Sequence, residues 1–321
     1  MEQGLSGAKY FNVNISHLLS QDFDITFKIY CYPAKPRDGA PILLFGENTP
    51  SRKIKITLGK RKFGPLYVKE KDYYLYLQFV EDQVRLFIED DLVPIKKKAE
   101  VLYNSAKETI KNIFDHPRSG NNLKRVQSTV NSIVTFSLKN HDAIANLLRL
   151  TSYDYYTFTH CVNVAIFGLG FKQTVGYKSE EELREFTLGC ICHDIGKTRI
   201  SERILKKKEK LTNEEFHMIK VHPRHGFVLM KGMIPDCSLD IILHHHEKID
   251  GSGYPDQLMG DDISENTKMA AICDVYDALT TKRCYAEARS PFHGIKLMKD
   301  EMPGHFDPDL LERFILFLRG D

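Results

Sequence analysis

The sequence has almost no net charge, no long apolar run and no repeated cysteine spacing. Its 45 basic and 43 acidic residues leave a formal charge of +2. No bulk field therefore draws the chain to a nucleic-acid polymer or a membrane, and any anion must be held by a local site. No apolar stretch reaches the roughly 20 residues that a spanning helix needs, so no membrane span is expected. The opening residues, MEQGLSGAKYFNVN, lack a basic segment followed by an apolar one. No secretion signal is expected there, and a cytoplasmic location follows as the expectation. The seven cysteines (Cys31, Cys161, Cys190, Cys192, Cys237, Cys273 and Cys284) are odd in number and show no zinc-knuckle spacing. Most lie in apolar runs and read as reduced, buried thiols. Internal repeats and low-complexity segments are absent as well.

What is present fits a soluble protein of two domains: 321 residues, 42% hydrophobic and 27% charged. Residues 1–95 read as a small strand-rich α/β domain, an interaction or regulatory module suited to a protein partner. Phe23, Ile25, Phe27, Ile29 and Cys31 alternate with polar neighbours, as in a half-buried strand. PILLFGE suits a buried strand. Ile54, Ile56 and Leu58 alternate again, and DYYLYLQFV and VRLFIEDD continue the aromatic and β-branched bias. A helix is expected around ISHLL. After Pro94 the period changes: Leu102, Ala106, Ile110 and Ile113, then Val126, Val130, Ile133 and Val134, recur at helical spacing across the breaker DHPRSGNN. Residues 96–139 read as a helical connector and residues 140–321 as an all-α domain.

The helical part gathers imidazoles and carboxylates in places where such groups are unusual. His160 lies on a strongly apolar helical stretch, YDYYTFTHCVNVAIFG. His193 and Asp194 are adjacent in LGCICHDIGK, and His222 lies in MIKVHPRHG. His244, His245 and His246 run together before EKIDGSGYP, and Asp274 is flanked by Ile272, Cys273 and Val275. A lone histidine on an apolar helix is usually a core residue, but a buried carboxylate is costly unless paired or bound to a cation. One metal site accounts for all of these positions together. Two ions roughly 3.5–4 Å apart would lower the pKa of a bridging water and clamp a phosphate. Asp194, with two oxygens, is the natural bridge. Lys197, one turn beyond His193, places a further positive charge for a phosphate. The donor set, rich in imidazole with two carboxylates and no thiolate, points to iron or manganese, with zinc possible. Cys190 and Cys192 read as packing residues.

These residues resemble the HD-GYP family of metal-dependent phosphohydrolases. HDIGK and HHEKIDGSGYP match the two halves of that name. H-x-x-N-V-A at His160, K-L-T-x-E-E from Lys210 to Glu215, H-P-x-x-G at His222, CDVYDALTTKRCY and GHFDPDLLERF follow in the expected order. The resemblance covers about residues 140 to 321. It implies an all-helical HD-type catalytic domain that hydrolyses the phosphodiester bonds of cyclic di-GMP to pGpG or GMP through a hydroxide held by two metal ions. Carried over position by position, the metal ligands are His160, His193, Asp194, His222, His245, His246 and Asp274. Asp194 and Lys197 take the catalytic roles. Lys197, Gly253, Tyr254 and Arg283 face the substrate, which is cyclic di-GMP or a related cyclic dinucleotide. His244 falls outside the matched element and reads as structural. Some family members hold a third ion through a glutamate one turn before the first histidine; Tyr156 stands there, which implies two ions.

The chain departs from the family pattern in two places. Arg283 is followed by Cys284, Tyr285 and Ala286, so the second basic residue usual after the tyrosine is missing. Lys208-Glu209 replaces the usual Pro-Gly, leaving a basic run from Lys206 to Lys210 interrupted by Glu209. The alternative reading follows from the first departure: a metal- and nucleotide-binding module of weak or no turnover, acting as sensor or docking platform.

Overall fold

The computed structural model describes residues 2–3, 9–13, 25–32, 41–60, 63–117, 119–151, 157–176, 179–207, 209–281 and 288–320. The chain divides into two compact units, Met1–Val93 and Pro94–Asp321.

In the first unit, five antiparallel strands form one sheet: β1 Glu2–Gln3, β2 Lys9–Val13, β3 Ile29–Cys31, β4 Ile42–Phe45 and β5 Leu66–Lys69, in the order β1-β2-β5-β3-β4. Ile25, Phe27 and Ile29 are fully buried, so the alternation seen there marks a real inward face. Phe27 meets the rings of Tyr76 and Phe79 edge-on, at 5.8 and 5.6 Å between centroids, fixing a helix to that face. Three sequence expectations change. PILLFGE gives β4, but at the sheet edge, with Ile42 and Leu43 each 53% exposed rather than buried. The Ile54-Ile56-Leu58 alternation lies on helix α1, Ser51–Lys60, and the aromatic run 72–89 belongs to helix α2, Glu70–Glu89. ISHLL and Phe23 lie outside the described residues.

The second unit is helical. Its helices are α3 Ile95–Asp115, α4 Gly120–Lys139, α5 Ala143–Leu148, α6 Thr157–Thr174, α7 Glu180–Cys192, α8 Glu202–Leu205 and α9 Asn213–Lys220. There follow α10 His222–Met230, α11 Asp236–His244, α12 Glu265–Thr280, α13 Pro291–Asp300 and α14 Pro308–Arg319. Short 3-10 turns occupy Ile195–Arg199 and Gly260–Asp262. Helix α6 is buried on every side from Thr159 to Lys172, because α3, α5, α7, α12 and α14 all pack on it. The two helices of segment 96–139 therefore pack directly on the helical body, α3 on α5 and α6 and α4 on α5 and α7. Side-chain caps stop the helices cleanly: Ser119, Ser179, Thr212, Ser264, Ser290 and Asp307 each accept from a backbone N–H of the first turn. Among the described residues, no helix is long and apolar enough to cross a membrane.

Candidate metal centre

Helix ends bring the polar groups together. His160 projects from the buried α6, and Asp274 from the middle of α12. His193 caps the C-terminus of α7 and Asp194 opens the following 3-10 turn. His222 is the first residue of α10, and His245 caps α11 just before His246. The turn at Asp194 needs Gly196: a Cβ there would lie 1.9 Å from the His222 carbonyl oxygen and 2.5 Å from the Gly226 nitrogen. That backbone approach sets the distance between the His193-Asp194 pair and His222.

The seven groups form one cluster. Asp194 turns its two oxygens to different imidazoles. Its Oδ2 lies 3.9 Å from His160 Nε2 and 3.5 Å from His193 Nε2, and its Oδ1 lies 3.2 Å from His222 Nε2 and 4.0 Å from His245 Nε2. Asp274 Oδ1 is 3.0 Å from His160 Nε2 and 3.9 Å from His193 Nε2; its Oδ2 is 3.8 Å from His246 Nδ1. Among the described residues, three groups of donor atoms are close enough to hold an ion: His160-His193-Asp194, His222-His245-His246 and His193-His245-Asp274.

The orientation of the rings fits a cation. His193 Nδ1 donates to the Cys190 carbonyl at 2.7 Å, His222 Nδ1 to Ile219 at 2.8 Å and His245 Nδ1 to Ile241 and Ile242 at 3.1 Å each. With the proton on Nδ1, each Nε2 turns a lone pair inward. His222 Nε2 and His245 Nε2 then face each other at 3.2 Å, lone pair to lone pair. His193 Nε2 and Asp194 Oδ1 are buried without a hydrogen-bond partner among the described residues. Burial lowers the pKa of His222 and His245 and takes His246 down to about 3, so these rings are neutral donors. Burial opposes the ionised form of Asp194 and Asp274, yet the Lys197 ammonium holds Asp194 well below the carboxylate range, and the hydrogen bond from His160 does so for Asp274. At His160 burial opposes protonation, but hydrogen bonds to Asp274 and Asp277 outweigh it and raise the imidazole to about 9. A metal cation there competes with that proton.

Two supporting groups escaped the sequence reading. Asp277 is buried and accepts from His160 Nδ1 at 2.6 Å, from Asn163 at 2.8 Å and from the Thr281 hydroxyl at 3.0 Å. Tyr103 of α3 donates to Asn163 at 2.7 Å, completing the chain. In the sequence Asp277 stands inside CDVYDALTTKRCY, three residues after Asp274 and on the same face of α12. Glu247 is also buried, and its Oε1 accepts from the backbone N–H of Asp256 and Gln257 at 2.6 and 3.0 Å. It thereby pins the loop that carries Gly253 and Tyr254. A Cβ on Gly253 would fall 2.5 Å from the Glu247 Cα, so only glycine fits. The Tyr254 ring stacks on His246 at 4.7 Å. Lys197 Nζ pairs with Asp194 Oδ2 at 2.5 Å. His244 turns away from the cluster, to Asp240 and Asp256 at 2.7 and 3.1 Å. Cys190 and Cys192 are buried thiols, Cys192 pushed up to about 12 by burial. Arg283 and Tyr156 lie outside the described residues.

The chain is similar to known proteins over much of the helical unit. Residues 173–310 match the HD domain family model. Over 239 residues the chain is 33% identical to a cyclic di-GMP phosphodiesterase of Pseudomonas aeruginosa, covering 72% of this chain and 55% of that protein. It is 36% identical over 140 residues to a cyclic di-GMP phosphodiesterase response regulator of Xanthomonas campestris, covering 43% and 37%. It is 37% identical over 123 residues to a 3'3'-cGAMP-specific phosphodiesterase of Vibrio cholerae, covering 37% and 24%. The chain thus spans about half or less of the length of these relatives. A solved structure described as an HDG"Y"P protein of Bdellovibrio bacteriovorus superposes with a TM-score of 0.70 over 97% of this chain and 100% of that one, at 18% identity, a likeness of fold alone. The helical unit of this chain thus carries an HD domain, and the proteins it is similar to are named phosphodiesterases of cyclic dinucleotides.

Proposed function

We propose that the helical unit is a phosphodiesterase that opens a cyclic dinucleotide, cyclic di-GMP first among them, to pGpG or GMP at a centre of two divalent ions. The observation that carries this reading is Asp194, whose two oxygens face separate sets of inward-turned imidazoles. The names of the relatives support the substrate class. His160, His193 and Asp274 would serve one ion and His222, His245 and His246 the other, with Asp194 shared. Iron suits this donor set best, then manganese, then zinc. When bound, such ions lower the pKa of water and neutralise phosphoryl charge.

The chain's own groups do the rest. Asp277 holds the His160 ring with Nε2 inward. The Lys197 ammonium orients Asp194 and places a positive charge beside the cluster for a phosphoryl oxygen. Glu247 fixes the loop that presents Gly253 and Tyr254 beside His246. Arg283 is assigned a phosphate or guanine contact from its motif. The deciding experiment is anaerobic reconstitution with iron or manganese, followed by chromatography of the products from cyclic di-GMP. Accumulation of pGpG or GMP is expected; a fully loaded protein that leaves the substrate intact favours the sensor or docking module. The absence of a second basic residue after Tyr285 is the feature that favours that alternative.

A further inference from the structure

A cyclic dinucleotide has two phosphodiesters. While one is at the metal centre, the other needs a cation elsewhere. The motif that usually supplies extra basic charge has Ala286 in place of the second basic residue. Helix α9 offers another source. A reciprocal capping box between Thr212 and Glu215 fixes its first turn, and Glu215 is held in turn by Lys207. Its last residue is Lys220, two positions before His222. Phe216 and Lys220 stand four residues apart on one helical face, and Lys220 Nζ lies 5.1 Å from the centroid of the Phe216 ring. The same ammonium lies 5.1 Å from the centroid of Tyr254, the ring stacked on His246. It is therefore held one aromatic ring away from the metal centre.

Among the described residues, no ion pair takes up its charge. Lys197, Lys207 and Arg224 are paired with Asp194, Glu215 and Asp256. Among the described residues, no carboxylate lies within 4.0 Å of Lys220 Nζ. Aromatic faces attract an ammonium but leave its N–H donors available to an anion. Phe216 is 46% exposed, so this platform faces solvent.

We propose that Lys220 is a substrate-binding residue that meets the distal phosphodiester of the cyclic dinucleotide. This rests on the phosphodiesterase reading above. The test compares two substrates on metal-loaded protein: cyclic di-GMP, and bis(p-nitrophenyl) phosphate, a diester with one phosphate and no distal half. Lys220→Met is expected to raise KM for cyclic di-GMP about tenfold, the loss of one charge-assisted contact, with kcat and metal content unchanged. Hydrolysis of bis(p-nitrophenyl) phosphate should be unaffected, and Lys220→Arg should keep a low KM. Lys231, whose ammonium lies 5.5 Å over Phe227 at the other end of α10, provides the control, and Lys231→Met should change neither substrate. An unchanged KM for cyclic di-GMP in Lys220→Met overturns the assignment. An equal loss on both substrates also overturns it, because Lys220 then supports the metal centre. A metal-loaded wild-type chain inert toward both cyclic di-GMP and 3'3'-cGAMP overturns the phosphodiesterase reading itself, and this assignment with it.

Discussion

At the scale of single residues, the cluster separates groups that would hold a cation from groups that hold those groups. Asp194 and Asp277 are both buried carboxylates, yet removing their charge should have different effects. Asp194 faces both sets of imidazoles, so Asp194→Asn should lower metal content at both positions together and abolish turnover. Elemental analysis after reconstitution checks this, and a variant that keeps a full complement of metal would refute the shared role. Of the seven clustered groups, Asp277 is hydrogen-bonded to His160 alone, at its Nδ1. Asp277→Asn keeps the shape but weakens the acceptor, and loss of such a partner typically costs 10–100-fold in metal affinity. It should lower affinity at one position and spare the other, giving a biphasic chelator titration where the wild type is closer to uniform. The sequence made the inner cluster legible because histidine and aspartate are rare on apolar helices. It hid Asp277 and Glu247 because their importance lies in the backbone and ring atoms they meet, not in any spacing of their own.

At the scale of elements, periodicity outranked composition. Helix α2 is rich in aromatic residues and reads locally as strand, but its buried positions Asp72, Tyr76, Phe79, Val80, Gln83 and Val84, with Leu77 beside them, follow intervals of three and four. On α1 the apparent alternation was accidental: Ile54 is buried while Ile56 is 45% exposed. In the helical part the patterns were long enough to be read directly, and Leu102, Ala106, Ile110 and Ile113 are all buried on α3. What no pattern showed is how closely elements approach. Gly196 places the 3-10 turn against the backbone of α10, and the nearest obstacle to a Cβ is a carbonyl oxygen that cannot rotate away. Gly196→Ala must therefore push His222 away from Asp194. The expected outcome is a folded but less stable protein, with thermal midpoint lowered by several degrees and metal uptake reduced. Gly232→Ala is a useful contrast: no atom lies within 4 Å of a Cβ there, although its φ of +75° adds backbone strain. It should lower the midpoint while sparing metal uptake.

At the scale of the whole molecule, the division after Val93 predicts which part carries the chemistry. Every residue of the cluster and its supporting chain from Tyr103 to Thr281 belongs to the second unit, so a chain of residues 94–321 should fold and load metal without the first. A start at Ser119 falls at a helix N-cap and reads from the sequence as a natural break, but it discards α3. That helix buries Leu102, Ala106, Ile110 and Ile113 and supplies the Tyr103 hydroxyl that Asn163 accepts on its way to Asp277 and His160. Losing four buried aliphatic or alanine side chains removes contacts worth several kcal/mol at roughly 25 cal/mol per Å² of apolar surface, and it exposes the matching face of α6. The shorter chain should therefore be poorly soluble or markedly less stable, whereas the longer one matches the intact protein in helical circular dichroism and metal stoichiometry. Tyr103→Phe in the full chain isolates the polar part of this contribution. It removes one buried hydrogen bond, at a cost of about 1–3 kcal/mol, and leaves the packing of α3 in place. A denaturant titration of the three proteins distinguishes the two contributions. If residues 119–321 were as stable as residues 94–321, α3 would be an appendage rather than part of the helical body.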